Sequence, residues 1–129
     1  MLDGAARVTD LVTEAARQEM PAVAITDHGN LFGAFDFYKQ AKKVGIKPII
    51  GIESYVAPET RFDKRKVQWA QGGEDDVSGG GSYTHMTILA ETNEGLANLF
   101  RLSSLASLEG VYYKPRIDRE LLKIGRAHV

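Results

Sequence analysis

Apolar positions recur along this chain first at helical and then at strand spacing. Val8, Leu11, Val12, Ala15 and Ala16 share one side of a 3.6-residue repeat, which predicts an amphipathic helix over Ala5–Glu19. Pro21 stops it, and the short run Ala22–Thr26 predicts a first strand. Asn30 stands at the N-cap position of a second helix, Leu31–Val44, with Phe35, Tyr38, Ala41 and Val44 on its apolar side. Gly45 follows where a left-handed C-terminal cap belongs. Lys47–Val56, built around Ile49, Ile50 and Ile52, predicts a second strand, and Tyr83–Ala90 a third. Between them Ala57–Ser82 is a long polar connection carrying Trp69 and the flexible run Gly79-Gly80-Gly81. Asn93 caps a third helix through Leu108, with Leu96, Leu99, Phe100 and Leu105 inward. Val111–Ile117 is irregular, its tyrosines packing the turn before Pro115, and Asp118 caps a last helix through Leu122.

Strands alternating with helices predict an α/β fold, a parallel sheet with helices outside and both faces of each strand covered. Alternation along the third strand places Met86, Ile88 and Ala90 on one face and Tyr83, His85, Thr87 and Leu89 on the other. In the second strand Ile50, Ile52 and Val56 oppose Ile49, Gly51, Glu53 and Tyr55. Glu53 and His85 therefore sit on the more polar faces, where a carboxylate is costly unless paired or metal-bound.

The segment Thr26-Asp27-His28-Gly29-Asn30 puts an acid and an imidazole where a strand ends, a common place for α/β active sites. Asp27, His28, Glu53 and His85 form a mixed oxygen and nitrogen set that suits Zn²⁺, Mn²⁺ or Fe²⁺ better than Ca²⁺ or Mg²⁺. Such metals activate water and clamp a phosphate oxygen, so phosphate-ester hydrolysis is the natural reaction. Blander roles fit the same residues. Asp27 can cap the following helix with Gly29 allowing the bend, His85 can bond a backbone carbonyl, and Glu53 can pair with Lys47 or Arg61.

Composition narrows the classes. A hydrophobic share of 43% suits a globular core. A net charge of −1 gives no overall basic field for nucleic acid, although a local groove can still be basic. The absence of cysteine rules out disulfides and fits a cytoplasmic location. No apolar run approaches membrane-spanning length, so no membrane partner is expected.

Leu2-Asp3-Gly4-Ala5-Ala6, then Thr26-Asp27-His28-Gly29-Asn30, then Gly45-Ile46-Lys47-Pro48-Ile49-Ile50-Gly51-Ile52-Glu53 follow one another in a familiar order. Tyr83-Thr84-His85-Met86-Thr87-Ile88-Leu89-Ala90 and Leu108-Glu109-Gly110-Val111-Tyr112-Tyr113-Lys114-Pro115-Arg116-Ile117-Asp118 continue it. Together they resemble the polymerase and histidinol phosphatase (PHP) domain that opens bacterial DNA polymerase III alpha subunits. The resemblance implies a distorted, TIM-like β/α barrel with two or three metal ions at one mouth. It implies that Asp27, His28, Glu53 and His85 are metal ligands, and that the domain is a 3′–5′ exonuclease in its metal-binding members. In other members the domain is a non-catalytic scaffold, here one that would dock a proofreading subunit. A small-molecule PHP phosphatase is a further alternative, against which Arg61-Phe62-Asp63-Lys64 and the Leu108–Asp118 signature speak.

The family's first strand, with its His-x-His motif, has no counterpart before Met1, and its later strands have none either. The expectation is a partial PHP domain over residues 1–122, truncated at both ends and inactive in isolation. Residues 123–129 resemble the translation of a sequencing-adapter oligonucleotide and are read as a non-native tail. The parent would be a DNA-directed DNA polymerase using Mg²⁺ in a core absent from this chain. Its partners would be DNA, a sliding clamp and a proofreading subunit. Arg61, Lys64 and Arg65, with Lys66, form a basic cluster that can touch DNA phosphates or simply face solvent, and Trp69 can stack on a base or pin the loop.

Overall fold

The structure is a computed structural model that describes residues 4–68 and 78–124. Its elements are α1 (Val8–Arg17), β1 (Ala22–His28), α2 (Ala34–Val44), β2 (Lys47–Val56), β3 (Thr84–Leu89), α3 (Asn93–Glu109), β4 (Arg116–Ile117) and α4 (Arg119–Ile124). Trp69 lies outside the described residues, as do residues 125–129 of the segment read as a tail.

β2 is the centre of a four-stranded sheet. β1 runs parallel to its first part, from Ala22 opposite Lys47 to His28 opposite Glu53. β4 runs parallel to Tyr55 and Val56. β3 is antiparallel, with Gly51 opposite Leu89 and Tyr55 opposite His85. This corrects the all-parallel sheet expected from the element order. A parallel β3 would need the chain to cross to the far end of β2. Instead, Ala57 donates to Ile117 O, and Arg116 bonds the carbonyls of Arg61, Asp63 and Ser82. Both described ends of the connection are thus held at the C-terminal end of β2, and the strand must run back.

The helices cover one face. Val12 and Ala15 of α1 and Ala34, Phe37 and Ala41 of α2 pack on Ile50, Val23 and Ile25. Leu99, Leu102 and Ala106 of α3 pack with Leu121 of α4 on Ile52, Val56 and Ile117. The opposite face of the sheet carries Glu53, Tyr55, His28 and His85 and no helix among the described residues. Helices therefore cover one face rather than both. The architecture is mixed α/β, compatible with part of the barrel that the resemblance implies; the described strands form an open sheet.

Local differences follow from packing. α2 begins at Ala34, not Leu31, because Asp27 Oδ2 accepts from Gly33 N at 2.7 Å and shapes a turn first. Asn30 Oδ1 accepts from Leu31 N at 2.6 Å within that turn instead of capping the helix. The buried stripe of α2 is Ala34, Phe37 and Ala41, while Phe35 is 74% exposed, because the fully buried Phe37 is the ring that reaches the core. In α3, Leu102 and Ala106 are buried and Phe100 is half exposed. Thr92 rather than Asn93 caps α3, its Oγ1 accepting from Gly95 N. The Gly79–Gly81 run is a built turn rather than a slack one. Gly81 has φ +88°, its carbonyl accepts from Val67 N at 3.1 Å, and a Cβ there would meet Val67 O at 1.9 Å.

Candidate metal centre

Three of the four residues expected to bind metal meet on the face of the sheet that carries no helix among the described residues. His28 ends β1 directly beside Glu53 in the register, and His85 enters from β3 beside Tyr55. One ligand atom from each of His28, Glu53 and His85 lies within 4.8 Å of the other two. His85 Nδ1 stands 2.7 Å from Glu53 Oε1, and His28 Nδ1 stands 3.6 Å from the same oxygen. Glu53 and His85 are half-buried, and His28 is open to solvent. Two imidazoles and a carboxylate on one side of a rigid sheet are the donors that a first-row divalent ion accepts.

Asp27 is not brought into this group. Alternation turns it toward the helix-covered face, where it caps the turn into α2. It does line, with His28 and Glu53, a cleft of about 540 Å³ along the open edge of β1. Gly29 makes the tight exit possible. Its φ is +63°, and a Cβ there would sit 2.8 Å from the Tyr55 ring and 3.1 Å from Pro115.

The floor of the site is aromatic. Tyr55 and Tyr83 are buried, their ring centroids 4.9 Å apart, and the His85 ring stands 5.0 Å from Tyr55 and 5.6 Å from Tyr83. Burial, with Tyr83 and Glu53 nearby, raises the Tyr55 phenol above its ordinary pKa, so it stays protonated. Sequence alternation already placed Tyr55 with Glu53 and Tyr83 with His85. Their packing under the imidazoles depends on the antiparallel β2–β3 register.

The basic cluster does not form a common surface. Arg61 is buried. Its guanidinium reaches Glu109 at 2.7 Å, Glu120 at 3.0 Å and Asp118 at 3.1 Å, so it is a structural ion-pair hub and not a phosphate contact. Burial opposes its charge, but the three carboxylates outweigh that and raise its pKa. Arg65 is exposed and pairs with Asp63 at 2.5 Å, while Lys64 is exposed.

Arg116 escaped the sequence reading. It is completely buried and donates to Gly110 O, Ser82 O, Arg61 O and Asp63 O at 2.7–3.2 Å. Burial lowers its pKa from the ordinary arginine value. By fixing Ser82, two residues before β3, it helps to hold His85 opposite Tyr55 and within reach of Glu53.

A family model described as the PHP domain matches residues 1–128. The chain is 63% identical, over 131 aligned residues, to the DNA polymerase III subunit alpha of Saccharopolyspora erythraea; the match covers 95% of this chain and 11% of that protein. It is 57% identical over 125 residues to the protein of the same name from Mycobacterium tuberculosis strain H37Rv, again covering 95% and 11%. For the Thermus aquaticus DNA polymerase III subunit alpha the identity is 51% over 125 residues, covering 95% and 10%. The chain thus spans about a tenth of the length of the curated relatives it matches. Among the described residues no helix is long and apolar enough to cross a membrane.

Proposed function

The chain belongs to the PHP domain family, and from that premise we propose that it serves as the PHP region of a DNA polymerase III alpha subunit and holds divalent metal for phosphodiester hydrolysis at DNA 3′ ends. The convergence of His28, Glu53 and His85 within 4.8 Å on one face of the sheet carries this reading. Two nitrogen donors and a carboxylate fit Zn²⁺, Mn²⁺ or Fe²⁺. A bound ion of this kind would polarise a phosphate oxygen and lower the pKa of water.

The protein's own contribution is orientation. With the proton on His85 Nδ1, that nitrogen donates to Glu53 Oε1, which fixes the ring. Tyr55 and Tyr83 restrict the imidazole from below and keep that side dry. Exposed His28 faces the side from which substrate arrives. In the full barrel of the family, further strands would close around this face and complete the mouth. The parent would extend DNA primers, work with other replicase subunits and occupy the cytoplasm.

Equilibrium dialysis against Zn²⁺ and Mn²⁺ tests the metal assignment. At least one ion per chain is expected, with tenfold or greater weakening in Glu53→Gln. In the polymerase-length protein the same substitution is expected to abolish 3′ trimming while primer extension continues. Absence of metal uptake, with the His85–Glu53 bond acting as a self-satisfied pair, would favour a non-catalytic scaffold.

A further inference from the structure

Beside the metal-ligand group stands an aromatic and basic ledge that the hydrolytic chemistry does not use. Tyr113 is 67% exposed and holds a left-handed φ of +62°, an unfavourable state for a bulky residue. Strain kept at an exposed ring points to a use for that ring. Lys66 Nζ lies 5.0 Å from the Tyr113 centroid, and the Tyr112 ring supports Tyr113 at 4.6 Å. The next residue, exposed Lys114, places Nζ 5.6 Å from the centroid of Tyr55. The Tyr55 ring in turn stands 5.0 Å from His85. Pro115 closes against Gly29, next to His28.

An exposed ring with the Lys66 ammonium beside it, and a second ammonium on the next residue reaching toward Tyr55, has the chemistry that single-stranded nucleic acid requires: a base stacks on the ring, and the cations meet adjacent phosphates. We propose that Tyr113, Lys114 and Lys66 form the platform that seats a single-stranded DNA end, with Lys114 steering the terminal phosphodiester toward His28, Glu53 and His85. This deepens, and rests on, the reading of the metal centre as a DNA phosphodiesterase site. The anchor is fixed from below, because Tyr112 N donates to Lys114 O and Arg116 lies 5.1 Å from the Tyr112 ring.

The test is fluorescence anisotropy of the full chain with a labelled single-stranded DNA oligonucleotide in EDTA, so that metal plays no part. Tyr113→Gly relieves the backbone strain while removing the ring, and is expected to weaken binding roughly tenfold. Tyr113→Phe keeps the stacking face and should bind within about twofold of the parent chain. Lys114→Gln is expected to reduce the slope of log affinity against log salt by about 0.7. Far-UV circular dichroism and zinc uptake should be unchanged in each variant. No binding by the parent chain, equal binding by Tyr113→Gly, or an unchanged salt slope in Lys114→Gln would each overturn the platform. Metal uptake is read separately, so the two failures are distinguishable. Binding that depends on Tyr113 without any zinc uptake would sink the hydrolytic reading and leave the platform standing.

Discussion

Replacing Arg61 by methionine removes one charge from the hub that ties the segment after β2 to α3 and α4. The three ion pairs differ in value because they differ in exposure. The Glu120 side chain is 76% exposed, so its pair contributes about 0–1 kcal/mol. Glu109 is partly covered. The Asp118 side chain is only 2% exposed, and losing its guanidinium leaves a buried carboxylate supported by the backbone N–H groups of Arg61 and Leu121 alone. Breaking a buried pair of this kind costs about 3–5 kcal/mol, most of it desolvation of the abandoned partner. Methionine preserves much of the apolar stem, so packing loss is small. The assay is urea unfolding followed by far-UV circular dichroism, with Arg65→Met as the control, since Arg65 is exposed and bonds only Asp63 among the described residues. The expected outcome is a loss of roughly 3–5 kcal/mol for Arg61→Met and a urea midpoint close to that of the parent chain for Arg65→Met. Equal, small losses in both variants would refute the assignment of Arg61 to a buried hub and return it to the basic surface.

Acid should weaken the same hub. Burial pushes Asp118 up, but the N–H groups of Arg61 and Leu121 and the Arg61 guanidinium together hold its pKa below the ordinary carboxylate value. Its stabilising contribution is therefore complete above the usual aspartate range, about pH 4, and is lost as pH falls through the lower folded value. The urea midpoint should drop on acidification below pH 4, and less so in Asp118→Asn; an identical pH profile in that variant would contradict the linkage. Thr92→Ala removes the side-chain acceptor at the start of α3 and should cost about 1 kcal/mol, with Thr92→Ser restoring most of it. Gly81→Ala forces a Cβ into Val67 O, and proteolysis around residue 67 should accelerate relative to the parent chain.

The sequence made strand β2 legible to its exact ends because an apolar run is bounded by Gly45 and by the polar stretch after Val56. Alternation then placed Glu53, Tyr55, Tyr83 and His85 on shared faces, since a period of two is independent of what the strand pairs with. Strand direction was not legible. It depends on Arg116 gathering the distant carbonyls of Arg61, Asp63 and Ser82 and on Ile117 accepting from Ala57 N, a long-range arrangement with no local signature. Asp27 and His28 show the same limit at the site. Neighbours in sequence, they point to opposite sides of the sheet, and the resemblance that grouped them does not carry that geometry. The stripe of α2 was misread for a related reason: Phe35 and Phe37 are equally apolar, and only the packing partner decides which one is buried.

The convergence of two imidazoles and one carboxylate is tested most directly by growing crystals of the chain in Mn²⁺ and collecting data at the manganese edge. An anomalous peak bounded by His28, Glu53 and His85, and missing in Glu53→Gln, is the expected result. A map without a peak there, or with manganese bound only at other carboxylates, would contradict a metal centre on this face.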